Sequence, residues 1–159
     1  MRFVLLLAGV IVVVDQATKL VALSRLVMGV PVSLIDGLLA LTLVKNPGLA
    51  FGLLGGVPEG WRWVVAALSL VALVVLARVA LGVLPQGGWA ARVAVGLIFG
   101  GAVGNLIDRA RFGAVVDFVD VYWRAWHWPA FNVADSAITV GVALLALRLL
   151  RGPATPPAP

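Results

Sequence analysis

Two aspartates could do hydrolytic chemistry if the fold set them face to face: Asp117 in Val115-Val116-Asp117-Phe118 and Asp135 in Phe131-Asn132-Val133-Ala134-Asp135. Like charges brought close together cannot both ionise, so one carboxyl keeps its proton near neutral pH. The pair then titrates as a unit, which is the arrangement for aspartic peptide hydrolysis. In that chemistry the charged Asp takes a proton from a bound water, which attacks the scissile carbonyl. The neutral Asp hydrogen-bonds that carbonyl and supplies the proton that the leaving amine needs. The residues leave open which Asp is the base. They also leave a plainer reading open, in which one acid caps a helix and the other pairs with Arg111 or Arg124. Membrane carboxylates serve transport as well.

Around the pair lies an unusual density of polar groups. Residues 100–135 hold four of the seven acids: Asp108, Asp117, Asp120 and Asp135. Asn105, Asp108 and Arg109 stand at i, i+3 and i+4, one face at the end of a helix, where they can brace a site or simply bond locally. Asn132 lies three residues before Asp135, on the same face if that turn is helical, and can orient a carboxylate. Asp15 and Lys19 are four apart, acid first, the better order for an ion pair. Either they form a helix-end salt bridge with the lysine snorkelling, or they face a cavity and serve the site. Gln16 adds a polar group to that turn. Asn46 in Asn46-Pro47-Gly48 reads as an ordinary turn or as an amide aimed at a substrate's backbone. His127 is read as an interfacial residue with one hydrogen bond. Ser136 lacks the glycine-flanked turn of a serine nucleophile.

Composition narrows the classes. The 159 residues are 62% hydrophobic and 12% charged, with mean hydropathy +1.10. Soluble domains run nearer half apolar and a quarter charged. The net charge of +5 comes from cations scattered singly, without the basic stripe that a phosphate backbone needs, so no nucleic acid is expected. Absent cysteine excludes disulfides, thiolate metal sites and a Cys nucleophile. With a single histidine a zinc site would need mostly carboxylate ligands, an unusual set, which narrows the catalytic candidates towards carboxylates.

The elements that must position these residues read as apolar helices. Spans are expected at about 3–24, 63–84, 91–107 and 133–147, the first retained rather than cleaved. The fold class is therefore an all-α membrane protein: a four-transmembrane-helix bundle with a small β-rich region at about 30–60. Asp36-Gly37 signals a hairpin there, residues 38–44 suit a strand, and non-helical backbone this apolar belongs on the membrane surface. Pro85-Gln86-Gly87-Gly88 is a short turn. Gly96, Gly100 and Gly104, with Gly101 beside them, let a neighbouring helix approach closely. They also suggest a groove for a lipid or peptide chain. Residues 112–131, with Tyr122, Trp123, Trp126 and Trp128, read as an interfacial aromatic belt. Residues 1–151 make one integral-membrane domain, and 152–159 a proline-rich disordered tail. Four spans put both termini on one side. The scattered Lys and Arg leave open which side that is.

Taken together, the motifs make the chain resemble the lipoprotein signal peptidases (signal peptidase II), intramembrane aspartic proteases of bacteria. The matches are Asp15-Gln16-x-x-Lys19, Asn46-x-Gly48-x-Ala50-Phe51, Gly104-Asn105-x-x-Asp108-Arg109, Val115-Val116-Asp117-Phe118 and Phe131-Asn132-x-Ala134-Asp135. They follow the family's order and cover the chain up to its tail. The resemblance implies a catalytic pair at Asp117 and Asp135. It implies supporting or substrate-binding positions at Asp15, Lys19, Asn46, Asn105, Asp108, Arg109 and Asn132. It further implies removal of the signal peptide from diacylglyceryl-modified prolipoproteins, by a cut just before the lipidated lipobox cysteine, with no metal or cofactor. Both termini would be cytoplasmic in the bacterial inner membrane, with the active site near the extracytoplasmic face and the 30–60 region an extracytoplasmic cradle. Membrane lipid and prolipoprotein are the expected partners, and the enzyme is expected to act as a monomer. Two other classes compete: a proton-coupled transporter or channel using Asp15, Lys19 and Asp117 as a relay, and a non-catalytic membrane scaffold, which leaves the polar motifs unexplained.

Overall fold

A computed structural model describes residues 1–48, 62–83 and 88–150. Its order is α1 (Arg2–Arg25), β1 (Val32–Ile35), β2 (Leu39–Asn46), α2 (Arg62–Val83), α3 (Gly88–Phe112), β3 (Val115–Trp123), β4 (Trp126–His127) and α4 (Val133–Leu150). Helix α3 is central and packs against α1, α2 and α4. The four helices fall where the apolar runs place them. Ala50, Phe51, Trp61, the turn at residues 85–87, Arg151 and the tail lie outside the described residues, as does the end of the β-rich stretch at 49–60.

The glycines of α3 explain its central place. A Cβ built at Gly96 would meet the Leu7 side chain, and one at Gly100 would lie 2.7 Å from Ile11 Cβ, both on α1. At Gly101 it would strike the Ala134 carbonyl oxygen of α4, and at Gly104 it would lie 2.5 Å from Asp15 Oδ2. Gly141 of α4 returns the contact, 2.6 Å from Ile98 Cγ1. Both glycine-lined faces are thus filled by helices. They are packing seams, and the expected groove for a lipid or peptide is not there.

The strands form one antiparallel sheet in the order β1-β2-β3-β4. Asp36-Gly37 does make the first turn, with Gly37 at φ 77°, and the expected strand is β2. Strand β3 was not expected. The stretch read as an aromatic belt holds a strand running antiparallel to β2, with Val44 opposite Asp117 and Asn46 opposite Val115, and its Trp123, Trp126 and Trp128 are exposed. Helix α3 runs beyond Ile107 to Phe112, and Asn105, Asp108 and Arg109 lie in its last turns, at the helix end where their spacing puts them. Gly113, at φ 69°, then donates its N–H to the Arg109 carbonyl and turns the chain into β3. Ala22, Leu43 and Val116 form a small apolar cluster that seats the sheet against α1.

Burial runs opposite to that of a water-soluble domain. The largest fully buried side chains are Lys19, Val116, Asn132, Asp15, Asp108 and Asp117, while Leu5, Leu6, Val10, Val13, Leu68, Val71, Val75, Val140 and Val142 face outward. An apolar exterior this continuous suits lipid, not water. By length and composition α1 and α3 suffice to cross a bilayer, and α2 carries a shorter apolar run, Trp63–Val79.

Gly101→Ala is expected to lower thermal stability by about 1–3 kcal/mol, since its Cβ meets backbone that cannot easily yield. Gly9→Ala, which meets nothing within 4 Å, should cause no loss. Unfolding scans of both variants in detergent check this, and equal losses would contradict the close approach of α3 to α4.

Candidate active site

Five elements deliver the site. Asp15, Gln16 and Lys19 come from α1, Asn46 from the end of β2, Asn105, Asp108 and Arg109 from α3, and Asp117 from β3. Asn132 and Asp135 come from the start of α4. Asn132 precedes the first helical residue and accepts the Asp135 N–H on its Oδ1 at 2.9 Å, while Asp135 Oδ2 accepts the Asn132 N–H at 3.3 Å. This reciprocal pattern is a capping box. The helix-capping alternative therefore holds for the backbone role of Asp135, and it is also what points its carboxylate inward.

The two aspartates share a cradle of amides. Asn132 Nδ2 donates to Asp117 Oδ1 at 2.7 Å, its shortest bond, and lies 3.3 Å from Asn105 Oδ1. Asn105 Nδ2 donates to Asp135 Oδ1 at 2.8 Å. Asn46 Nδ2 donates to Asp117 Oδ2 at 3.1 Å, and the Gly48 N–H returns to Asn46 Oδ1 at 3.0 Å. The Asn46 side chain thus both closes its turn, as one reading of the sequence has it, and serves a carboxylate. Neither aspartate pairs with Arg111 or Arg124 among the described residues.

Behind this cradle sits an ion cluster. Lys19 Nζ lies 2.9 Å from Asp15 Oδ2, 2.7 Å from Asp108 Oδ2 and 3.0 Å from Asn105 Oδ1, so all three ammonium donors are used. With Lys19 2% exposed, the snorkelling alternative is ruled out. Gln16 Nε2 donates to Asp108 Oδ1 at 2.9 Å and lies 3.2 Å from Asp15 Oδ2. Asp108 therefore pairs with Lys19 rather than with its neighbour Arg109. Arg109 donates from Nη2 to the Gly48 carbonyl at 2.9 Å, and its Nε has no partner among the described residues.

Burial pushes the Asp117 carboxyl from its ordinary 3.8 up to about 7, and the facing charge of Asp135 pushes the same way. The amides of Asn46 and Asn132 and the Lys19 charge pull it partly back. Asp117 is closed off while Asp135 and Asn46 are half-buried, so the network opens on their side. A proton held by one carboxyl near neutral pH, beside a second carboxylate, is what acid–base hydrolysis needs.

All nine expected site residues meet in this network. Gln16 belongs with them, and its signal was a polar side chain beside Asp15 in an otherwise apolar run. The backbone donors Val116 and Ala134 carry no sequence signal at all. His127 stands apart, with Nδ1 3.0 Å from Asp120 Oδ1 and its ring stacked on Tyr122. Ser136 Oγ donates to the Asn132 carbonyl and takes no part in the cluster.

Residues 7–151 match the family model described as signal peptidase (SPase) II. A lipoprotein signal peptidase of Geobacter metallireducens is 45% identical over 94% of this chain and 91% of its own length. One of Geobacter sulfurreducens is 48% identical over 87% and 86%. Among solved structures, a bacterial membrane enzyme determined by the in meso method at 2.3 Å resolution is similar with TM-score 0.78 and 30% identity. That likeness covers 100% of this chain and 95% of the other.

Ionising Asp117 inside the fold costs stability, because its folded pKa lies above the unfolded value. The cost is absent below about pH 4, grows between about pH 4 and 7, and is constant above. Asp117→Asn should therefore melt above wild type at pH 8, with the gain vanishing towards pH 4. A pH-independent difference in melting temperature would contradict the assigned shift.

Proposed function

The chain belongs to the signal peptidase II family, and we propose that Asp117 and Asp135 are its catalytic pair. The protein is a membrane aspartic endopeptidase that removes signal peptides from prolipoproteins. The observation that carries the assignment of the pair is the shared amide cradle: Asn132 and Asn105 bind both carboxylates at once, next to the open side of the network.

In the reaction, the ionised member of the pair accepts a proton from a water, whose oxygen bonds to the scissile carbonyl carbon. The protonated member hydrogen-bonds the carbonyl oxygen as it gains charge. Collapse of the tetrahedral intermediate breaks the C–N bond, and a carboxyl proton goes to the departing amine. The pair begins and ends with one proton. No metal is required, because the acid, the base and the carbonyl donor are all carboxyl groups. Asn46, Asn105 and Asn132 hold the carboxylates in rotamer, and Arg109 fixes the Asn46–Gly48 turn through the Gly48 carbonyl.

The substrate reading is a prolipoprotein carrying diacylglycerol on its lipobox cysteine, cut just before that cysteine. A lipid-anchored peptide presents its scissile bond where hydrocarbon meets water, and the pair lies where α4 and β3 leave the apolar helices. Four spans are supported by the outward apolar faces of α1, α2 and α4. Even the 18-residue α4 reaches roughly 27 Å, close to a bilayer's hydrocarbon core. Both termini then lie on the cytoplasmic side of the inner membrane, and the sheet, with exposed Trp123 and Trp126, rests at the extracytoplasmic surface. A monomer suffices, since one chain supplies both carboxylates. A proton relay is disfavoured because the polar groups gather in one closed cluster instead of lining a path.

Cleavage of a diacylglyceryl-modified lipobox peptide in detergent tests the assignment. Asp117→Asn and Asp135→Asn should each fold and each lose on the order of 10³-fold or more in kcat. Wild-type kcat/KM should also fall as pH rises through about 7, where the pair gives up its proton. Near wild-type cutting by either variant would remove that residue from the mechanism.

A further inference from the structure

Each member of the pair is held through the residue before it. The Val116 N–H, one residue before Asp117, donates to Asp108 Oδ2 at 3.0 Å. The Ala134 N–H, one residue before Asp135, donates to Asp15 Oδ1 at 2.9 Å. Both acceptor carboxylates are salt-bridged to the same ammonium, Lys19 Nζ. The third donor of that ammonium goes to Asn105, whose amide holds Asp135 itself.

We propose that Lys19, Asp15 and Asp108 form one positioning unit, in which a single buried cation locks two carboxylates that each grip the backbone amide preceding one catalytic aspartate. This rests on the reading of Asp117 and Asp135 as the catalytic pair. None of the three has surface to offer a substrate: their side chains are 2%, 0% and 1% exposed, whereas Asp135 and Asn46 are half-buried.

The chemistry explains why ions stand here instead of neutral groups. A backbone N–H bonded to a carboxylate is held more tightly than one bonded to a neutral acceptor. Two carboxylates buried side by side repel one another, and a cation bonded to both offsets that repulsion. Lysine gives three compact donors on one atom, which suits three acceptors converging from α1 and α3. Arginine's planar fork does not reproduce that arrangement. The small residues complete the device, because any side chain at Gly104 would displace Asp15 Oδ2.

The unit also sets the field at the pair. The charged groups around Lys19 are Asp15 on its own helix, Asp108 and Arg109 on α3, Asp117 on β3 and Asp135 on α4. Lys19 favours the ionised form of Asp117, against burial and Asp135. Removing its charge therefore moves loss of the shared proton to higher pH.

Kinetics on the full-length protein in detergent, with the same lipopeptide, separate positioning from mere fold support. In Lys19→Met, kcat should drop about 100-fold, the size expected for slight misplacement of reacting groups. KM should stay within about threefold, because no substrate contact is lost. The alkaline limb should shift upward. In Lys19→Met/Asp108→Asn, which restores the unit's net charge, the limb should return towards wild type while kcat stays low. Asp108→Asn, which keeps an acceptor for the Val116 N–H, should retain more kcat than Asp108→Ala. Wild-type kcat in folded Lys19→Met, or a loss confined to KM, overturns the proposal. So does a set of variants that lose folded protein while the folded remainder turns over at the wild-type rate. Asp117→Asn run alongside distinguishes the two readings. If it is inactive while Lys19→Met is not, only the positioning unit fails; if it cuts normally, the catalytic pair is wrong and the unit falls with it.

Discussion

A lysine ammonium sealed between two carboxylates is the interaction on which the rest of this molecule depends. Desolvating three ions costs several kcal/mol for each, and mutual attraction repays this only when the geometry satisfies every donor. Here Lys19 uses all three of its protons, Asp15 Oδ1 and Asp108 Oδ1 take the Ala134 amide and Gln16, and the Val116 amide shares Asp108 Oδ2 with Lys19. The cluster joins α1 to α3, α3 to β3 and α1 to α4. In lipid, where apolar side chains gain nothing by leaving one apolar medium for another, such polar contacts and close packing of small residues must hold helices together. The polar interior and the glycine seams of α3 are two halves of one solution.

The site carries the cost of that solution in a useful form. Asp117 is buried beside a second acid, and the two amides bonded to it and the Lys19 charge offset this only in part, so its proton affinity rises into the range of neutral pH. A fold built for stability alone would place an asparagine or an alanine there. Asn46, Asn105 and Asn132 show how the cost is limited: each donates a hydrogen bond without adding the positive charge that would strip the proton away. Lys19, whose charge does act on Asp117, is held by its own two carboxylates. Arg109, the other buried cation among the described residues, gives Nη1 and Nη2 to main-chain carbonyls.

The polar residues were legible because each violates its surroundings: Asp15, Lys19 and Asp108 interrupt apolar runs that have no use for charge. Helices were legible for the same reason in reverse. Strand β3 was not. Val115, Val116 and Asp117 are all buried in succession, because Val116 packs against Ala22 of α1 while Asp117 enters the amide cradle on the other face, so the period of two is erased. Its aromatic residues then read as an interface belt. The direction of the Asn46 amide was equally hidden, since it depends on the Val44–Asp117 register across two strands far apart in sequence. The glycine row announced a close approach but not what would fill it, and only the positions of α1 and α4 decide between a seam and a groove.

The central claim is that Asp117 and Asp135 together hold one proton near neutral pH. Infrared absorption reads protonated carboxyl groups directly, and can be followed from pH 5 to pH 9 on the protein in lipid. The account predicts one protonated-carboxyl band that disappears as pH rises through about 7 and is missing from the Asp117→Asn/Asp135→Asn double variant at every pH. A band that survives in the double variant, or no titrating band in wild type, would contradict it.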